Sequence, residues 1–278
     1  KAPQIENDQL ILNGEEQTGE ALKRVQYYLG QIRHRFEKTG YLKIKSENNF
    51  PISAGIASSA SAFAALASAA AKIYHLDLTE PELSTLARLG SGSACRSIPE
   101  GFCEWKTGQE HHKSYAFSIA SKEHWNLWDC IAVVENEAKK VSSTSGHSYA
   151  ESSPLQRSRV ADTPRRLEIC RSAILNKDFG KLANIIELDS NMVHAVMMTS
   201  NPPVMYWQPE SIAIMQKVKG MRQSGIDAAY TLDAGANVHV ICTEESHIKV
   251  IEILNELSGI KEIIVSPVGG STNILQHF

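Results

Sequence analysis

Apolar and polar positions alternate along this chain in two rhythms that predict interleaved helices and strands. Gln9-Leu-Ile-Leu-Asn-Gly14 reads as a strand entering a turn. Leu22, Val25, Leu29, Ile32 and Phe36 then recur every three or four residues, which predicts an amphipathic helix over 17–39. Tyr41 to Lys45 alternates apolar and basic residues, as a half-buried strand does. A small-residue turn follows, and then an alanine-rich helical run to about Tyr74. A second helix over 79–89 has Thr79 as its cap and Glu80 and Glu82 in its first turn.

Beyond a polar middle, Cys130-Ile-Ala-Val-Val134 predicts a buried strand within 129–135. Helices are predicted over 155–175, 179–198 and 209–224, the second closed by Asn201-Pro-Pro203. Strands over 228–232 and 238–242 flank an Asp233-Ala-Gly235 bend. A helix over 245–258, a strand over 262–266 and a small-residue turn at 267–271 complete the pattern. No repeat of solenoid length and no low-complexity linker interrupts it.

Three stretches carry candidate chemistry. In Pro51-Ile-Ser-Ala-Gly-Ile-Ala-Ser-Ser-Ala60, the order strand, tight loop, helix puts free backbone N–H groups at a helix start. The dipole there favours an anion, and small side chains let a phosphate approach. Ser58 and Ser59 add hydroxyls. The loop is neither a Walker A loop nor a dinucleotide fingerprint, and the plainer reading is a helix packed closely on a sheet with Ser58 as its cap. In Gly90-Ser-Gly-Ser-Ala-Cys-Arg-Ser97, followed by Gly101-Phe-Cys-Glu-Trp105, one arginine lies among small residues and hydroxyls. Its planar fork suits a carboxylate or phosphate, although most arginines are simply solvated in a surface loop. Lys139-Lys-Val-Ser-Ser-Thr-Ser-Gly146 is a polar loop that could add a phosphate contact or be solvated. Asp233, between two apolar strands, is either a turn former or a carboxylate held in a pocket. The arginines of 157–171 read as a solvated face, and Met192, Met197 and Met198 as core filler.

Composition narrows the partners. The 278 residues suffice for one large domain or two smaller ones. A net charge of −3 gives no general attraction to nucleic acid. No apolar stretch has the length and hydropathy of a membrane span, and no signal peptide is visible. The five cysteines are scattered and form no CxxC pair, which points to reduced thiols in a cytoplasm. The ten histidines show no HExxH spacing.

Four segments in order resemble the GHMP kinase superfamily, and within it the mevalonate diphosphate and phosphomevalonate decarboxylases. They are Asn48-Asn-Phe-Pro51 through Ala60, Gly90–Ser97 with Gly101–Trp105, Lys140-Val-Ser-Ser143, and Tyr230-Thr-Leu-Asp-Ala-Gly-Ala-Asn237. The second is the most specific. The resemblance implies an α+β, two-lobed fold with the active site in the cleft, the lobes being 1–154 and 155–278. It implies ATP-dependent decarboxylation of a 5-phosphorylated mevalonate, with Mg2+ and without nucleic acid or membrane, in a cytoplasmic homodimer. Gly55, Ala57, Ser58, Ser59 and Ala60 would cradle ATP, with Ser59 a ligand of Mg2+. Ser91, Ser93, Arg96 and Ser143 would bind substrate, and Asp233 and Arg96 would be catalytic.

Two departures qualify it. Residues 1–16 contain no Lys-Tyr-Trp-Gly-Lys-type segment, so that segment is expected to be missing from this chain, an expectation that the mass of the parent protein tests. Met192 stands where some bacterial members place an arginine for the distal phosphates. A small-molecule kinase without decarboxylation is the nearest rival reading, and a non-catalytic sensor that retained the nucleotide cradle is the next.

Overall fold

The computed structural model describes residues 6–50, 56, 58–135 and 143–275, with the side chains at 143–145 and 147 outside that description. Its class is α+β, as the family resemblance implies. The chain forms two compact units. One comprises Lys1–Ile52, Ala57–Ser118 and Gly270–Phe278; the other comprises Ser53–Ile56 and Ile119–Gly269. The main change of unit falls between Ser118 and Ile119, whereas the sequence reading put the change of lobe near residue 155.

In the first unit, β1 (Gln9–Leu12) lies between β2 (Glu15–Glu16), antiparallel, and β3 (Lys43–Ser46), parallel, with Gln9 opposite Lys43 and Leu12 opposite Ser46. The parallel crossover is made by α1 (Glu20–Arg35). Its buried stripe keeps Val25, Leu29 and Ile32 of the spacing and adds Tyr28, while Leu22 and Phe36 are only partly buried. It packs with α2 (Ser58–Ile73) and α3 (Glu80–Gly90). Ala64, Ala67 and Ala70 of α2 are completely buried, so the absence of side-chain bulk permits close helix approach. Thr79 starts α3 by donating its backbone N–H and its hydroxyl to Glu82 Oε2, at 2.8 and 2.7 Å. Arg33 closes the crossover with a two-pronged bond to buried Asp8, which also accepts from Leu42 N.

The hairpin of β4 (Phe102–Lys106) and β5 (Tyr115–Ala120) was not predicted.

The second unit is built on a four-stranded sheet in the order β7 (Ala228–Thr231), β8 (Val238–Thr243), β6 (Leu127–Val133), β9 (Glu262–Pro267), antiparallel throughout. Cys130, Ala132, Tyr230, Val238 and Val240 share one face. They form a core with α8 (Pro209–Gln223) and α9 (His247–Asn255). The remaining helices are α4 (Ser143–Ala150), α5 (Gln156–Ala161), α6 (Thr163–Leu175) and α7 (Phe179–Met198). Asp178 caps α7 by accepting from Lys181 N.

Two readings of this half are corrected. Residues 143–146, expected in a polar loop, begin α4. Arg166, expected on a solvated face, is buried. It donates to Asp162 and Asp189 and to the Arg159 carbonyl, so the cation is paired where water is excluded.

Candidate active site

The expected phosphate cradle enters the described residues at the first turn of α2. Gly55 and Ala57 lie outside them. Ser58 begins the helix, Ser59 is exposed and Ala60 is buried. No acidic residue stands in that first turn, so nothing there opposes an anion. Ser59 Oγ lies 3.1 Å from Ser91 Oγ, which joins two stretches that the sequence marked separately.

The segment after α3 is a 3-10 helix, Gly92–Ser97, where a surface loop was the plainer expectation. Ala94 and Cys95 are its buried side, and Ser84 Oγ donates to the Cys95 carbonyl at 2.9 Å while accepting from Ala116 N at 2.8 Å. Gly90, just before it, faces the Phe63 ring. A Cβ at Gly90 would lie 1.9 Å from Phe63 Cδ1, so only glycine fits. Arg24 seals the contact, its guanidinium 4.7 Å above the Phe63 ring and Nη2 donating to the Gly90 carbonyl at 2.7 Å. On this pinned segment Ser91 and Ser93 are half-buried. Arg96 is exposed, its guanidinium 6.0 Å from the Trp105 ring centre. Trp105 is itself held by donating to Ser114 Oγ at 2.9 Å.

In the second unit Ser143 is the first residue of α4, its side chain outside the described residues. Asp233 follows β7 in a turn closed by Gly235 N donating to the Asp233 carbonyl at 2.8 Å. Its side chain is exposed, so the carboxylate is not enclosed; the turn's backbone is what is held. At one end, Ser190 Oγ accepts from Leu232 N at 3.0 Å, and the Leu232 carbonyl accepts from His194 Nε2 at 3.4 Å. At the other, buried Asn237 accepts from Val134 N and Glu135 N and donates to the Glu135 carbonyl, while Ser211 Oγ donates to the Ala236 carbonyl at 2.6 Å. None of Ser190, His194, Ser211 and Asn237 was a candidate from the sequence. The available signal was the i, i+4 spacing of Ser190 and His194 on the apolar side of a predicted helix.

The model of the diphosphomevalonate decarboxylase-like N-terminal domain matches residues 1–116, and that of the mevalonate 5-diphosphate decarboxylase C-terminal domain matches residues 130–274. The chain is 40% identical to the diphosphomevalonate decarboxylase of Candida albicans, over 98% of this chain and 81% of that protein. This chain belongs to the diphosphomevalonate decarboxylase family. Its fold matches the crystal structure of the Staphylococcus aureus mevalonate diphosphate decarboxylase with a TM-score of 0.90 at 34% identity, covering 96% of this chain and 81% of that one. It also matches MDDEF in complex with MVAPP, AMPPCP and magnesium, with a TM-score of 0.89 at 33% identity, covering 96% and 82%.

In this decarboxylase-family chain, the groups behind Asp233 are uncharged. Burial lowers His194 to a pKa of about 4, against weaker upward pulls from its bond to the Leu232 carbonyl and from Asp233. The imidazole is therefore neutral at neutral pH, with its proton on Nε2, because a carbonyl can only accept. Met197 fills the core beside Tyr206 as expected, whereas Met192 is only partly buried.

Proposed function

We propose that this chain catalyses the ATP-dependent decarboxylation of mevalonate 5-diphosphate to isopentenyl diphosphate. The observation that carries this reading is continuous likeness to decarboxylases across both units, at 40% identity to a curated one. ATP supplies the phosphoryl group, and Mg2+ bound to its phosphates neutralises their charge. The donors present suit that pair. Among the described residues no group of three or more His, Cys, Asp or Glu could hold a metal. The ion would therefore be carried mainly by phosphate oxygens, with the Ser59 hydroxyl as a protein ligand. The first turn of α2, without acidic residues, suits an anion.

The residues would act as follows. Gly55, Ala57, Ser58, Ser59 and Ala60 would line the phosphates. Asp233 would orient the C3 hydroxyl and take its proton as the oxygen attacks the γ-phosphorus. Arg96 would hold the C1 carboxylate in a charge-assisted fork, with Ser91, Ser93 and Ser143 bonding other substrate oxygens. Phosphate then leaves with the C3–O electron pair, the C1–C2 bond breaks to release CO2, and its electrons form the new double bond. Exposure suits Asp233 and Arg96 to this work, since a group must face its substrate to react with it.

A second reading, the 5-monophosphate as substrate, rests on Met192, which stands where some bacterial members place an arginine for the distal phosphates. A homodimeric assembly and a cytoplasmic location are part of the proposal. Among the described residues no helix is long and apolar enough to cross a membrane.

The test is to offer the two phosphorylated mevalonates separately with ATP and Mg2+ and to follow ADP and CO2 together. Equal release from the diphosphate supports the main reading; equal release from the monophosphate alone supports the second. ADP without CO2 would make the protein a kinase and overturn both.

A further inference from the structure

Leu232 stands where β7 leaves its sheet. The last β7–β8 pair is Thr231 with His239, so the ladder offers Leu232 no partner. Leu232 is nevertheless buried, at 3% exposure, and a buried peptide group needs its hydrogen bonds. Two side chains of α7 supply them in place of the sheet. Ser190 Oγ accepts from Leu232 N at 3.0 Å and also lies 3.5 Å from the Leu232 carbonyl. His194 Nε2 donates to that same carbonyl at 3.4 Å. Ser190 and His194 are one helical turn apart, and both are buried.

We infer that Ser190 and His194 are positioning residues for Asp233: they clamp both polar backbone atoms of Leu232 and so fix the peptide plane from which Asp233 projects. This rests on the reading of Asp233 as the base. The Leu232 carbonyl belongs to the peptide unit that includes Asp233 N, so holding it removes one soft rotation ahead of the carboxylate. The exposed side chain then inherits its direction from a buried anchor.

The imidazole is suited to the task because its own orientation is set. It meets the Tyr206 ring edge-on, with centroids 6.0 Å apart, and the Trp207 ring at a tilt, with centroids 5.1 Å apart. Tyr206 is held close in turn, for a Cβ on Gly146 would lie 2.7 Å from its hydroxyl oxygen. Neutrality matters as well. An imidazolium behind Asp233 would stabilise the carboxylate and weaken it as a base, whereas burial keeps His194 uncharged.

The experiment is a double-mutant cycle on the full chain. His194→Phe keeps a planar ring and removes the donor. It is expected to lower kcat about tenfold, as small misplacements of a reacting group do, with both KM values within about twofold; the unfolding midpoint falls because a buried carbonyl loses its donor, but the variant stays folded at the assay temperature. In the Asp233→Asn background the same change should cost less than about twofold, because the clamp has no base left to aim. Ser190→Ala carries the same test, should His194→Phe fail to fold, with an expected loss of about threefold in kcat that also vanishes beside Asp233→Asn. An unchanged kcat in folded single variants would overturn the inference. So would an equal loss in both backgrounds, which marks a merely structural role. If Asp233→Asn alone keeps the parent rate, the base reading fails and the clamp fails with it; a slow Asp233→Asn beside a fully active His194→Phe defeats the clamp alone.

Discussion

The Ser91–Arg96 segment and the Asp233 turn both present exposed charged side chains, yet their backbones are held by different means. The first is held largely by shape. Gly90 lies against Phe63 with no room for a methyl group, Ala94 and Cys95 are buried, and hydroxyl bonds from Ser84 complete the seat. The second is held by polar side chains reaching in from elsewhere: Ser190 and His194 at one end, Asn237 and Ser211 at the other. Shape tolerates no added volume, while a polar clamp tolerates volume better than the loss of a donor. Mutations of the groups that hold the two backbones should therefore fail differently, those of the first region in stability and those of the second in rate and pH response as well.

The largest expected effect tests the exposed end of the polar region. Asp233→Asn should lose roughly 10²–10⁴-fold in rate with unchanged unfolding, which paired activity and melting measurements would check. A near-parental rate would leave the turn with no catalytic purpose. Next comes acid. The ordinary His pKa is near 6.5 and His194 is lowered to about 4, so below 6.5 the unfolded chain takes up a proton that the folded one refuses. Stability from this residue is full above pH 6.5 and declines as pH falls toward 4, by on the order of 3 kcal/mol. Denaturant titrations at pH 7 and pH 4.5 should show the decline, and His194→Phe should flatten it.

Third, Arg96→Lys keeps the charge but loses the planar fork, so kcat/KM should fall roughly 100-fold while the melting temperature stays put. An unchanged kcat/KM would remove Arg96 from the site. The smallest effect is Gly90→Ala, which should cost about 2 kcal/mol of stability by displacing Phe63, read as a lower denaturation midpoint. If that variant instead melts normally and merely turns over slowly, the shape-held account of the first region is wrong.

Legibility in the sequence followed the same divide. Helix α7 runs over Phe179–Met198, the span read from the sequence with its break at Asn201-Pro-Pro203. The β4–β5 hairpin was missed because its apolar alternation is inverted: Glu104 is the buried position and Phe102 and Cys103 are only half-buried. The connection between its strands also lacks an Asn-Gly or Asp-Gly turn. Arg166 misled because charge in a helix is usually solvated, and only the fold brings Asp189 within 2.9 Å of it. For Asp233 the flanking apolar strands suggested enclosure. They enclose the neighbouring backbone, and the carboxylate stands clear of it. The clamp residues were invisible because each serves a peptide group far along the chain, 42 residues away for Ser190 and 38 for His194.

The return of Gly270–Phe278 to the first unit bears on how this protein emerges from the ribosome. Thr272 Oγ1 accepts from Ser68 Oγ at 3.2 Å, across 204 positions of sequence. The first unit therefore stays unfinished while roughly 150 intervening residues are synthesised, on the order of ten to thirty seconds at cellular elongation rates. The second unit waits almost as long, because its edge strand β9 is made just before Gly270, so neither unit is complete until residues beyond 262 have been made. A nascent-chain protease-protection series should show the two units becoming resistant nearly together, once residues 262–275 have emerged.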